Sequence, residues 1–270
     1  MFFEIARAIK EVQPSYVLLE NVKGLFSHDG GRTFGTIIQA LDELGYVTEW
    51  GLFNSKYWGV PQNRERVYIL ATRKDKFKQP KLFDLVKQQT EVTTRLIDVL
   101  EDEVDEKYYL SEEKTRKLTL DHDLGGKLNM YDYNERDKIH SVNKVSPTLN
   151  TMQGGDRQPK IAIREATKQG YAIAEQGDSV NVSYPTSKTR RGRVGKQVAQ
   201  TLQAGEVNQG VVMNDIRIRK LSPLECWRLQ GFTDEQFYKA KDSGVSNSQL
   251  YKQAGNSVTV NVVDAIVKCL

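Results

Sequence analysis

Apolar residues at Phe2, Ile5, Ile9 and Val12 recur with a helical period that Pro14 stops, and Tyr16-Val17-Leu18-Leu19 follows as a short continuous apolar run. The pattern predicts a helix feeding a buried strand of the kind a parallel sheet holds. A second helix is predicted over 36–44, with Gly45 as its stop, then strands over 46–53 and 67–70. This alternation reads as an α/β sheet, entered in mid-pattern. From Lys74 the texture becomes charged and Tyr-rich, then glycine- and asparagine-bearing with short apolar pieces as far as Asn214, which predicts a smaller, irregular domain with β content. The final segment returns to helical texture. Val145-Ser146-Pro147-Thr148-Leu149 is echoed by Val198-Ala199-Gln200-Thr201-Leu202, each running into a glycine-bearing loop. Three matches in five arise easily by chance, so this repeat has weight only if matching strands accompany it.

Composition narrows the classes. The 270 residues are long enough for one large domain or two smaller ones, and 39 basic against 35 acidic residues give +4, which permits a polyanionic partner without demanding one. No apolar run is long enough to span a bilayer, and the first residues lack the order of a secretory signal, so the chain reads as intracellular. Two cysteines and three histidines supply neither a disulfide framework nor a zinc cluster, and no metal is expected.

Ser222-Pro223-Leu224-Glu225 carries a capping box, with Ser at the cap, Pro in the first turn and Glu reaching back to the cap amide. The longer string Arg219-Lys220-Leu221-Ser222-Pro223-Leu224-Glu225-Cys226-Trp227-Arg228-Leu229-Gln230-Gly231-Phe232 resembles the ninth motif of the DNA cytosine-C5 methyltransferases. Three further blocks fall in that family's order. Glu20-Asn21-Val22 resembles the sixth motif, Gln62-Asn63-Arg64-Glu65-Arg66 the eighth, and Gly255-Asn256-Ser257-Val258 the tenth. The resemblance runs from Met1 to Leu270. It implies an incomplete Rossmann-like S-adenosylmethionine-dependent methyltransferase domain over 1–73, an inserted, mixed, β-containing target recognition domain over 74–254, and a C-terminal helix over 255–270 returning to the catalytic domain. It also implies a bacterial or phage-encoded restriction-modification setting.

Methylation at C5 of cytosine needs a nucleophile at C6 and a site that meets the charge developing at N3 and O2. The resemblance assigns Glu20 the hydrogen bond to N3 and the exocyclic amine, places Arg66 against O2, and gives Arg64 to ordering the loop and a phosphate. The structural alternatives are that Glu20 begins a turn with Asn21 and that Glu65 pairs with a neighbour on a solvated strand edge. Alternation on an extended backbone puts Gln62, Arg64 and Arg66 on one face. The resemblance sets Gly255, Asn256 and Ser257 against S-adenosylmethionine, and Ser257 also fits the N-cap of an apolar-faced final helix.

Duplex DNA is the expected partner of the variable region. Gln62, Gly154, Gly155, Arg157, Arg190, Arg191 and Arg193 are its candidate contacts, since glycines admit close backbone approach and arginines present forked donors. Thr148, Leu149, Thr201 and Leu202 resemble the family's recognition element. A basic run such as 188–196 also reads as a solvated loop.

The family's nucleophile is a cysteine in a Pro-Cys loop, and neither Cys226 nor Cys269 follows a proline; the family's first motif is a glycine-rich turn, and no Gly-x-Gly occurs. The main cofactor motif is therefore missing from these residues. Met1-Phe2-Phe3-Glu4-Ile5-Ala6 resembles the middle of the fifth motif. The expectation is a chain inactive alone that needs a complementary N-terminal half or subunit, with a truncated product, a non-catalytic DNA-binding relic and a regulatory module as the alternatives.

Overall fold

A computed structural model describes residues 2–89, 94–120, 160–204, 207–213 and 217–270. The chain begins with α1 (Phe2–Val12), β1 (Tyr16–Val22), α2 (Arg32–Glu43), β2 (Tyr46–Asn54), β3 (Gln62–Asn63), β4 (Glu65–Arg73) and α3 (Leu82–Lys87). It continues through α4 (Glu112–Leu118), β5 (Lys160–Arg164), β6 (Tyr171–Glu175), β7 (Ser179–Asn181), β8 (Val194–Gly195), β9 (Ala199–Gln200), β10 (Gln209–Val212) and β11 (Ile218–Lys220). Four helices close it: α5 (Pro223–Arg228), α6 (Asp234–Asp242), α7 (Asn247–Asn256) and α8 (Val260–Lys268). None of the described helices is long and apolar enough to cross a membrane.

Two compact units emerge, one of residues 1–59, 63–92 and 258–270, the other of 60–62 and 93–257. These bounds differ from the expected 1–73, 74–254 and 255–270. Residues 82–87 stay with the first unit because Leu82 and Leu85 of α3 are buried against Phe53, Tyr68 and Leu70. Residues 255–257 fall to the second, being the end of α7 and the residue that caps it.

The first unit is a three-stranded sheet in the order β1-β4-β2, covered on both faces. Both flanking strands run antiparallel to β4, so β1, expected in a parallel pairing, has an antiparallel neighbour instead. An apolar run reports burial on both faces and is silent on the direction of the neighbour. One face packs Val67, Ile69 and Ala71 against Ile9 of α1 and Ile37 and Leu41 of α2. The other packs Tyr68 and Leu70 against α3 and against Val262 and Ile266 of α8, with Leu18 alongside. The last helix in sequence thus covers the sheet that the first residues build.

The second unit holds the sheet β11-β10-β7-β8 and the hairpin of β5 with β6. Its helical part is organised by α5. Ser222 Oγ accepts from Glu225 N at 3.2 Å while Glu225 accepts from Ser222 N at 2.7 Å. Glu225 also takes both forks of Arg219 at 2.7 and 2.8 Å and the Glu101 amide at 2.8 Å, and both side chains of the pair are fully buried. The Trp227 indole donates to the Leu250 carbonyl at 3.0 Å and the Gln230 amide to that of Ala254 at 2.9 Å, which fixes α7 against α5. Gly255 sits where a Cβ would lie 2.6 Å from the Ala204 amide nitrogen, so the close approach of these two segments requires glycine.

Candidate active site

Glu20 sits near the end of β1, opposite Tyr68 in the β1–β4 register, and Val22 is opposite Arg66. Residues directly opposite in a ladder share a face, and so do residues two apart on one strand. Glu20, Arg66 and Tyr68 are therefore neighbours on one side of the sheet. The pair closes as an ion pair, Arg66 Nε to Glu20 Oε1 at 2.9 Å, with side chains 16% and 27% exposed. Arg66 also donates to the Glu65 carbonyl at 2.8 Å, which bends its guanidinium back over the strand. A carboxylate and a guanidinium in contact, each still partly open to solvent, offer an acceptor and a forked donor to one planar ligand.

Arg64 is 3% exposed and lies just before β4. Burial, with the Arg66 charge beside it, brings its guanidinium down to about 10, and Glu20 opposes that shift. Its carbonyl accepts from Ser55 N at 3.0 Å, and Ser55 Oγ meets Thr259 Oγ1 at 2.7 Å, so the backbone at Arg64 is tied to the N-cap of α8. Glu65 pairs with Lys23 at 3.0 Å on the exposed side. Tyr68 was not among the residues singled out from sequence. It is 2% exposed, its ring meets Phe53 edge-on at 5.5 Å, and burial together with Glu20 pushes its phenol up to about 12, leaving it neutral over the physiological range. The signal that finds it is the alternation that linked Arg64 with Arg66, continued for one more step.

In the second unit Gly255 and Asn256 close α7 instead of opening the last helix. Ser257 is the C-cap of α7, its hydroxyl donating to the Ala254 carbonyl at 2.9 Å, and the N-cap of α8 is Thr259. Ser257 as an N-cap is thus corrected: the helical period continues from Asn247 through Asn256, a run that the polar face of α7 hides in sequence. Asn256 and Ser257 border a groove of about 480 Å³ whose walls include Trp227, Phe232, Lys252 and Gln253. Asn256 is exposed there.

The DNA candidates separate. Thr148, Leu149, Gly154, Gly155 and Arg157 lie outside the described residues, as does the first copy of the repeat. Arg190 and Arg191 are on the loop between β7 and β8, Arg191 exposed and Arg190 partly so. Thr201 is partly exposed directly after β9. Three others were expected to face DNA and are buried. Leu202, 5% exposed, belongs to the core with Leu221 and Leu224. Gln62 is fully buried, and neither atom of its amide has a hydrogen-bond partner among the described residues. Arg193 is 1% exposed, its guanidinium given to backbone carbonyls. Residue type alone could not separate a forked donor used inside the protein from one presented to a ligand.

The C-5 cytosine-specific DNA methylase model matches residues 1–270. The chain belongs to that family. Among its methylase relatives, the orphan methyltransferase M.SPBetaI of Bacillus phage SPbeta is 38% identical over 309 aligned residues, covering 98% of this chain and 68% of the relative. The type II methyltransferase M.BanI of Aneurinibacillus aneurinilyticus is 31% identical, covering 100% of this chain and 74% of its own length. In structure this methylase resembles the S. pombe Dnmt2 methyltransferase, with a TM-score of 0.56 at 18% identity over 99% of this chain and 70% of the other. The likeness bears on the fold, an α/β methyltransferase architecture.

Cys226 is buried within α5 and burial drives its thiol well above the ordinary range, whereas Cys269 is exposed. A thiol reagent is expected to modify Cys269 in the native methylase and to reach Cys226 only in denaturant. Equal reaction rates under native conditions would contradict the packing around α5.

Proposed function

We propose that this chain supplies the cytosine-recognition and DNA-reading parts of a DNA cytosine-C5 methyltransferase, while the attacking thiolate and the main cofactor loop come from sequence outside residues 1–270. The observation that carries the reading is the Glu20–Arg66 ion pair at the carboxyl end of β1, 2.9 Å long and partly open to solvent. In this reading a flipped cytosine replaces solvent at the pair. Glu20 accepts from the exocyclic amine and holds a proton between its other oxygen and N3, and Arg66 donates to O2. Attack at C6 loads negative charge onto the ring; the proton held between Glu20 and N3 moves onto N3 and the Arg66 guanidinium faces O2, so that charge is met with little reorganisation. Arg64, buried behind them, adds fixed positive potential.

S-adenosylmethionine supplies the methyl group in this family. Of the three residues expected to meet it, the Ser257 hydroxyl is engaged at the end of α7, Gly255 is occupied by packing on Ala204, and Asn256 offers an exposed amide to the groove. Asn256 is accordingly one lateral contact to a cofactor held mainly by other sequence.

The test is reconstitution. The chain alone should transfer no methyl group to DNA; mixed with a fragment carrying a glycine-rich turn and a Pro-Cys loop, it should acquire S-adenosylmethionine-dependent methylation. Methylation by the isolated chain would overturn the division of labour. Failure with every complementary fragment, alongside retained DNA binding, would favour a non-catalytic DNA-binding protein.

A further inference from the structure

The loop of residues 182–193 between β7 and β8 is held from inside by one side chain. Arg193 donates from Nη1 to the carbonyls of Asn181 and Ser183, each at 2.9 Å, and from Nη2 to that of Tyr184 at 2.6 Å. Burial, with Arg190 nearby, lowers its pKa from the usual arginine value, and the three carbonyl oxygens compensate a cation taken out of water. The outer arm of the loop is anchored too: the Ala166 amide donates to the Arg190 carbonyl at 2.7 Å and Arg191 Nε donates to the Ala166 carbonyl at 3.0 Å. This is a built loop, unlike the solvated basic run that its composition also allowed.

The clamp has a consequence at Tyr184. With its carbonyl turned inward, the residue takes φ of +47°, the left-handed region that a residue with a side chain rarely enters. The residue is 74% exposed and belongs to no core cluster among the described residues. Local stability would favour glycine or asparagine here, and a tyrosine is found. Strain held by surrounding structure and spent on presenting an aromatic ring is the pattern of a ligand-contacting position. The same loop carries Lys188, Arg190 and Arg191, cations suited to phosphate contacts.

We infer that Tyr184 is a DNA-contacting residue of the second unit, its ring set against a sugar or base of the duplex by the Arg193 clamp while Arg190 and Arg191 engage phosphates. The inference rests on the DNA reading above. The two kinds of contact differ in salt dependence. A guanidinium on a phosphate releases counterions, whereas a ring on a sugar or base releases none.

The experiment titrates a labelled mixed-sequence duplex with the full 270-residue chain over a salt series, with thermal unfolding measured in parallel. Tyr184→Gly removes the ring and relieves the left-handed strain. It should unfold no earlier than the parent and bind about tenfold more weakly at every salt concentration, with the slope of affinity against salt unchanged. Tyr184→Asn, which also tolerates this backbone conformation, should do the same, and Tyr184→Phe should keep the parent affinity. Arg190→Ala should instead reduce the slope by about one. Parent-like binding by Tyr184→Gly and Tyr184→Asn, or a loss that appears only as a change of slope, overturns the inference alone. Absence of binding by the parent chain at low salt overturns the DNA reading and this inference with it.

Discussion

Glu20→Gln in the reconstituted enzyme is expected to lower turnover about a hundredfold or more while changing DNA affinity by no more than about twofold. The asymmetry follows from when the interaction is needed. In the ground state cytosine is neutral and a glutamine amide can still hydrogen-bond its edge. Once the ring is attacked, charge grows next to a residue that can no longer share a proton, and the loss appears in the rate. Arg66→Ala should behave alike, since it removes the donor at O2 and leaves Glu20 without its 2.9 Å partner. Single-turnover methylation and DNA binding, measured on the same preparations, separate the two effects. Equal losses in affinity and rate would make Glu20 a DNA-binding residue and sink its catalytic role.

Glu225→Ala should destabilise the second unit by about 3–5 kcal/mol, the largest stability effect expected of a single substitution here. The change strands the fully buried Arg219 guanidinium and removes the acceptor of the Ser222 and Glu101 amides in one step. An uncompensated interior cation costs far more than the pair contributes while intact. Arg219→Met combined with Glu225→Met should therefore cost less than the sum of the two single changes. Urea denaturation followed by tryptophan fluorescence reads all four variants. A loss below about 1 kcal/mol for Glu225→Ala would mean that water reaches Arg219 and that the ninth-motif string does not organise this unit as described.

The local elements were legible where one periodicity ran uninterrupted. The apolar run at Tyr16-Val17-Leu18-Leu19, the helix that Pro14 stops and the box of Ser222 with Glu225 are each set by neighbours a few residues apart, and short-range sterics and hydrogen bonding suffice to specify them. The candidate pair of Glu20 and Arg66 came from motif order, and the β1–β4 register then brought the two together.

Other features depended on partners far away in sequence. Arg193 reads like Arg190 and Arg191 in a basic run, and only the fold of 181–184 around it turns it from a surface charge into an internal clamp. Leu202 looked like part of a recognition element until Leu221 and Leu224 enclosed it, and Tyr68 acquired its place beside Glu20 only through pairing across 48 positions of register. The sequence by itself determined the family, the helical and extended segments and the types of group available for chemistry, because these rest on local patterns and on motifs in order. The tertiary structure decided which of those groups stay accessible and which pair with one another. Burial and long-range hydrogen bonding are properties of surfaces brought together from distant segments, and a one-dimensional pattern does not contain them.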